Sequence, residues 1–279
     1  MIAFYLSGNP THDRVIQAFY EGCPEEKKLI DGFQYEPSDI AVVFGVYKSK
    51  VVVSWPRGQI FRQQRQNNKD VIVLETGYIN RGDGEHHHYA AGFNGLNGRA
   101  DFKNKGMPND RVRKLGIELK PWRKGSNLIL CGQVPWDASV DHSNHFQWLQ
   151  QTAEELKKTG LPVVFRPHPL AKLAPLPGIE YSTVPLKQDL QNAHCVVTFN
   201  SNAGVEALLE GVPVYAADEG SMAWPVALKS LSSIAHPLTA IDDGSILEPD
   251  RVQWLNNLSY CQWTLKEMAN GEAWTHLFR

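Results

Sequence analysis

The chain has 279 residues, 42% of them apolar, enough to build one large or two small cores, which excludes a disordered chain. Its most apolar runs, at residues 40–44, 51–55 and 212–217, fall far short of the roughly 20 residues that span a bilayer, which excludes a transmembrane helix. The formal net charge of −2 hides an excess of lysine and arginine over residues 45–125, set against acidic flanks.

The first ten residues lack a basic leader and read as a β-strand, so the chain is expected to stay in the cytoplasm where it is made. Strands are predicted at residues 2–6, 40–44, 51–53 and 71–74, with helices near 12–20 and 58–66. A polar stretch from 76 to 106, rich in Gly, Asn and His, follows as a long loop of the kind that is usually functional or mobile. Residues 120–126 read as a linker. The pattern then restarts with strands at 128–131, 163–166, 195–198 and 212–216, helices near 144–158, 187–192 and 203–210, and a helical tail from about 250. Short apolar strands alternating with helices are the signature of βαβ units and parallel sheets. The expected architecture is α/β, with two Rossmann-like domains, 1–122 and 123–279, facing a cleft. Cys23, Cys131, Cys195 and Cys261 are scattered without a Cys-x-x-Cys pair and read as reduced thiols, two of them in apolar strands.

Ligands of open α/β sheets bind beyond the carboxyl ends of the strands, so the polar residues there are the candidates. Val163-Val164-Phe165-Arg166-Pro167-His168-Pro169 delivers a guanidinium, suited to a phosphate, and an imidazole held between two prolines. The run from Val196 to Val214 passes from a strand through Asn200, Ser201 and Asn202 into a helix carrying Gly204 and Glu206. The start of that helix is expected to offer an anion its N–H groups and positive dipole end, while Glu206 accepts from a ribose or base. Gln133, Asp137 and Ser139 follow the strand at 128–131. They read either as contacts to donor or acceptor or as a capped loop. Glu75, at a strand end, is a candidate general base for a hydroxyl. It is followed by Arg81, Asp83, Glu85 and the histidines 86–88, which consecutive positions on an extended chain point to alternate sides, against a shared metal.

In order and spacing, Gly-Gln-Val-x-x-Asp-Ala-Ser at 132–139, Arg-Pro-His-Pro at 166–169 and Asn-Ser-x-x-Gly-x-Glu-Ala-Leu-x-x-Gly-x-Pro-Val at 200–214 resemble the capsule-polysaccharide synthesis family. That family includes the Kdo transferases, enzymes of GT-B fold that use a CMP-activated sugar. The resemblance implies a glycosyltransferase in which His168, Pro169, Ser201 and Glu206 hold the nucleotide phosphate and sugar. Glu75 in Glu-Thr-Gly-Tyr resembles the family's acidic-Gly-aromatic segment. With Gln133, Arg166, Asn200, Asn202 and Gly204 these residues make the expected donor site for a CMP- or UDP-linked sugar, with His168 and Glu75 catalytic and no metal or other cofactor.

Two acceptors compete. The basic block includes Arg57, Arg62, Arg65, Arg99, Lys103, Lys105, Arg111, Arg113, Lys114, Arg123 and Lys124, interleaved with Trp55, Tyr78, Phe93, Phe102 and Trp122. It suits DNA with an extruded hydroxymethylated base, as in phages that glycosylate their genomes; the location would then be the host cytoplasm. The alternative is an anionic capsule or other surface glycan. Arg81, His87, Arg113 and Lys114 are the expected acceptor contacts in either case. A reading of another class is a non-catalytic binder of sugar nucleotides.

Overall fold

The computed structural model describes the chain apart from residues 33, 47–55, 82–85, 141–143, 172 and 243–247. The strand expected at 51–53 and the side chains of Trp55, Asp83 and Glu85 lie outside the described residues. The chain divides into two units. Unit 1 comprises Met1–Arg111 and Asn256–Arg279, and unit 2 comprises Val112–Leu255.

Unit 1 opens with β1 (Ile2–Tyr5), α1 (Pro10–Glu21), β2 (Lys27–Ile30), β3 (Ile40–Phe44), α2 (Pro56–Gln66), β4 (Asp70–Thr76) and β5 (His88–Phe93). β1 pairs in parallel with both β2 and β3, and β3 with β4. Side chains alternate across this sheet as period two requires. Phe4, Val42, Phe44, Ile72 and Leu74 pack with Val15, Ile16 and Phe19 of α1. Ala3, Tyr5, Ala41, Val43, Val71 and Val73 face the other way, with Ile60 of α2. The Asn9 side chain caps α1 by accepting from the amides of Thr11 and His12, and Pro10 takes the first turn. The stretch expected as one long loop contains β5, which runs antiparallel to β4. Gly92 obscures that strand in the sequence, and it is needed there, because a Cβ would stand 2.7 Å from the Phe102 ring.

After α3 (Asp110–Leu115), unit 2 contains β6 (Asn127–Cys131), α4 (His145–Lys157), β7 (Val163–Arg166), β8 (Glu180–Tyr181), α5 (Leu186–Leu190), β9 (Ala193–Thr198), α6 (Ala203–Leu209), β10 (Val214–Ala216), α7 (Pro237–Asp242) and most of α8 (Glu248–Ser259). Its strands lie in the order β10-β9-β6-β7-β8, all parallel. The chain builds outward from β6 to β8 and then returns to place β9 on the other side of β6. The topological switch point therefore lies at the carboxyl ends of β6 and β9. The supposed linker is fixed within this unit. Lys120 N donates to Leu209 O at 3.0 Å and Arg123 N to Gly211 O at 3.0 Å. The Arg123 guanidinium donates to the carbonyls of Glu210, Gln191 and Leu190 at the ends of α5 and α6, a cation on two helix C-termini. Gly211 has φ +75°, and a Cβ there would lie 2.1 Å from Pro121 O.

Residues 256–279, expected as the tail of the second domain, belong to unit 1. β11 (Gln262–Thr264) pairs antiparallel with β5, completing a six-stranded sheet of order β11-β5-β4-β3-β1-β2. α9 (Leu265–Ala269) packs on α1 so closely that a Cβ at Gly22 would meet Met268 O at 2.0 Å. α10 (Glu272–Leu277) adds Trp274 and Leu277 to the core. Arg111 anchors the segment. Its Nη1 pairs with Glu267 at 3.1 Å, its Nε and Nη2 donate to Ser259 O and Gln262 O, and its guanidinium lies 3.9 Å over the Trp263 ring. All four cysteines are buried free thiols. Among the described residues no helix is long and apolar enough to cross a membrane.

Candidate functional site

At the switch point of unit 2 the residues expected to face a donor are first of all bonded to one another. Asn200 N donates to Gln133 Oε1 at 2.9 Å, and Gln133 Nε2 donates to Asn200 Oδ1 at 2.7 Å. Asn200 Nδ2 donates to Ser139 O and to Asp218 Oδ2, each at 2.8 Å. Gln133, Asn200 and Asp218 are buried. They form a clamp that fixes the loops after β6, β9 and β10, and they set the shape of the site from beneath. Asp137 likewise serves its own loop, accepting the Ser139 amide at 2.8 Å and its hydroxyl at 2.7 Å.

His145, missed in the sequence, completes the clamp. The Gln133 amide donates to its Nε2 at 3.0 Å, so the neutral ring carries its proton on Nδ1. The ring is 3% exposed and stacks on Trp148. Burial lowers its pKa to about 4. In unit 1, burial likewise lowers that of His276, whose Nε2–H donates to Phe102 O at 2.9 Å, to about 4. Unfolded histidine titrates near 6.5, so between about pH 6.5 and 4 the unfolded chain binds protons that the folded chain refuses. Stability is expected to be fully kept above pH 6.5 and to fall as pH drops towards 4, by up to about 1.4 kcal/mol per pH unit for each histidine. Urea unfolding at pH 7 and pH 5 measures this slope. His145→Gln should flatten it, and an unchanged slope in that variant would clear His145 of the role.

Around the clamp stand the more accessible candidates. The Leu170 amide donates to His168 Nδ1 at 3.1 Å and the Ala171 amide to His168 O at 2.9 Å, so Pro169 and Leu170 form a turn beneath the imidazole. With Nδ1 accepting, the neutral ring carries its proton on Nε2. Arg166 departs from expectation. Its Nη1 donates to Val184 O and pairs with Asp189 at 2.7 Å, and the side chain is only 16% exposed. Asp189 also accepts from the Ser182 hydroxyl. The guanidinium thus ties β7 to α5, with much of its charge already balanced.

The start of α6 also departs from expectation. Ser201 N donates to Thr198 Oγ1 at 2.9 Å, Ala203 N to Ser201 Oγ at 3.2 Å and Gly204 N to Ser201 O at 3.1 Å, so these amides are already paired. Gly204 is buried, and a Cβ there would sit 3.1 Å from Ala223 Cβ and 3.3 Å from Val214 Cγ1. It permits close packing of helix on sheet. Ser201 and Asn202 are half-buried, and Glu206 is exposed with Asn202 Nδ2 at 3.4 Å.

The expected acceptor residues are divided between the units. Glu75 is the last residue but one of β4 in unit 1, where its Oε1 accepts the Thr76 amide at 2.8 Å. Arg81 is exposed in the same unit. His87 stacks on Tyr89 at 4.5 Å and His88 is buried at the start of β5, so the histidines diverge. Arg113 and Lys114 are exposed on α3 but fall in unit 2. Part of the basic block is engaged on folding, while Arg62, Arg99, Lys105, Arg113, Lys114 and Lys124 are exposed. Arg57, Arg111 and Arg123 are spent on internal carbonyls or carboxylates, and Arg65, Lys103 and Lys120 pair with Asp70, Asp101 and Glu210. Tyr78, Phe93 and Phe102 are buried in the core and Trp122 lies under Arg251, so none of the four offers an open stacking face.

Two sheets in a mixed α/β chain, one of them a five-stranded parallel sheet with a polar switch point, define the general class. The chain is similar in fold to the β-Kdo 2,7 transferase of Thermosulfurimonas dismutans KpsC, with a TM-score of 0.57 and 13% identity over 100% of this chain and 99% of that one. It is also similar to the β-Kdo 2,4 transferase of the same organism's KpsC, with a TM-score of 0.55 and 13% identity over 78% of this chain and 80% of that one. No protein-family model and no curated protein matches the sequence.

Proposed function

We propose that the protein is a glycosyltransferase of the GT-B type that moves a sugar from a CMP- or UDP-linked donor to a hydroxyl of a glycan, as a relative of the Kdo transferases. The observation that carries this reading is the polar switch point of unit 2, in a fold shared along its whole length with a Kdo transferase. The His168 Nε2–H donates to the departing phosphate oxygen, Ser201 and Glu206 contact the nucleotide and sugar, and the Gln133–Asn200–Asp218 clamp holds their loops in place. Donors held in advance where charge develops supply the largest share of catalysis in such sites. The reaction is proposed to need no metal. The glycan acceptor is preferred to DNA because the similar structures are Kdo transferases, and because five of the eleven named cations that suggested DNA are engaged within the fold.

The test is a panel of CMP- and UDP-sugars, CMP-Kdo among them, with mass detection of released nucleotide and of glycan product. Nucleotide release from one donor with mass gain on a glycan is expected. Donor bound but left intact across the panel would favour a non-catalytic binder, and mass gain on hydroxymethylated DNA would reinstate the nucleic-acid acceptor.

A further inference from the structure

The loop after β6 is built as two consecutive turns. Asp137 N donates to Val134 O at 3.0 Å, with Pro135 and Trp136 between them, and Val140 N donates to Asp137 O at 3.0 Å. Pro135 presets φ at the first corner of the first turn, and Trp136 takes the second corner. The second turn is held from within by the bonds of Ser139 to Asp137 Oδ1 and from without by Asn200, which donates to Ser139 O. The indole of Trp136 is therefore carried on a fixed turn, and it is 65% exposed.

The other exposed large apolar side chains among the described residues of unit 2 are Phe146, Leu170 and Val252, and two of these three share the edge of the sheet on which Trp136 stands. Leu170, 79% exposed, follows His168 in the loop after β7, the neighbour of β6. Gly132 N donates to Arg166 O at 2.8 Å, and a Cβ on Gly132 would stand 3.1 Å from Leu173 Cδ1, so the loop after β7 lies against the start of the loop after β6. Phe146 opens α4 next to His145, whose Nε2 accepts from Gln133 of the same loop. Exposed apolar side chains gathered beside placed polar groups, at the carboxyl ends of parallel strands, mark a ligand site.

The polar group next to the indole narrows the ligand. Asp137 Oδ1 is taken by the Ser139 amide and hydroxyl, whereas Oδ2, on an exposed residue, has no partner among the described residues. An ionised carboxylate only accepts. Cytosine presents its N4 amino group, a donor, on the edge where uracil presents O4, an acceptor. A carboxylate fixed at that edge therefore favours cytosine and repels uracil.

We propose that Trp136 is the platform on which the donor's pyrimidine base stacks, and that Asp137 Oδ2 accepts from the N4 amino group of cytosine and so selects the nucleotide. This rests on the transferase reading above, in which the phosphate of the same nucleotide meets His168 in the adjoining loop. The whole arrangement lies within unit 2. Both residues touch the nucleotide and neither touches the reacting atoms, so they set which donor is held and leave the chemical step to other groups.

The test is calorimetric titration of the full-length protein with CMP, UMP and the methyl glycoside of Kdo. The unaltered protein should bind CMP about tenfold or more tighter than UMP. Trp136→Ala should weaken both nucleotides about tenfold or more, the range of one stacked base, with an unchanged urea midpoint because the side chain is exposed. Asp137→Asn keeps an oxygen for the Ser139 bonds and puts an amide donor in place of Oδ2. CMP should then weaken about tenfold and UMP should gain, which inverts the preference in a way that mere loosening of the loop would not. The chain has eight tryptophans, so the part of the CMP-induced fluorescence quench that is lost in Trp136→Phe, a variant that still binds, reports this indole alone. CMP affinity within threefold of normal in Trp136→Ala would overturn the platform while leaving the transferase reading in place. An unchanged CMP-to-UMP ratio in Asp137→Asn would overturn the selection by Asp137. Quenching of Trp136 by the methyl glycoside but not by CMP would make the indole a sugar platform and overturn the base assignment. Binding of neither nucleotide by the unaltered protein would overturn the proposal and, if the donor panel is also inert, the transferase reading with it.

Discussion

Replacing His168 by Asn should lower sugar transfer by about 10²–10³-fold, the usual effect of deleting one donor aimed at a developing anion. An asparagine Oδ1 takes the place of Nδ1 and still accepts the Leu170 amide, while the Nε2–H is lost. The local bond is thereby kept, and the stability derived from urea titration should fall by no more than the worth of a single hydrogen bond, about 0.5–1.5 kcal/mol. His168→Ala should lose the same activity with slightly more stability. Transfer assays beside urea titrations separate the two effects. Normal turnover in His168→Asn would remove this histidine from the donor site.

Replacing Glu267 by Ala should cost unit 1 about 3–5 kcal/mol, the range found when one member of a buried ion pair is removed. The Arg111 and Glu267 side chains are 6% and 8% exposed, so the guanidinium would keep Ser259 O, Gln262 O and the Trp263 face but lose its only carboxylate among the described residues. The same change removes the capping box in which Thr264 and Glu267 satisfy each other's amides. Glu267→Gln keeps a partner for the cap and should fall between Ala and the parent. Substitution of exposed Glu180, as a reference, should stay within about 0.5 kcal/mol. A loss below 1 kcal/mol for Glu267→Ala would mean that the C-terminal segment is held mainly by its apolar contacts.

Strands β1, β3, β4, β6, β7, β9 and β10 were legible because each lies on a short apolar run ended by polar residues, and the run at 163–166 matches its strand residue for residue; β2, with its two lysines, and β8, two residues long, carried no such signal. β5 and β11 were not legible. The first is diluted by the alanines and glycine of Tyr89-Ala90-Ala91-Gly92, and the second is three residues inside a helical pattern, specified only by a partner far away in sequence. The same distance hid the true role of the charges. Nothing local tells that Arg111 closes on a carboxylate 156 positions later or that Arg123 caps two helices. At the switch point of unit 2 the sequence located the loops that the structure brings together, since strand ends carry the polar residues. Which of those residues face inward was decided by pairing between loops, as for Gln133 and Asn200. Asp218 was within reach of the same strand-end rule, applied to β10, whereas His145 carried no signal beyond its place after an N-cap.

The Asn200–Ser201 turn has a consequence for how the protein ages. Asparagine followed by serine is prone to deamidation, in which the next backbone nitrogen attacks the side-chain carbonyl carbon and expels ammonia. Here that nitrogen, Ser201 N, donates to Thr198 Oγ1, and both ends of the Asn200 amide are engaged by Gln133, Ser139 and Asp218. The attack requires the nitrogen to turn away from Thr198 and the amide to leave all three partners. The lesion, once made, would set a second carboxylate against Asp218. The folded turn therefore protects the residue whose chemical decay would damage it most, and each unfolding event starts a clock that refolding stops.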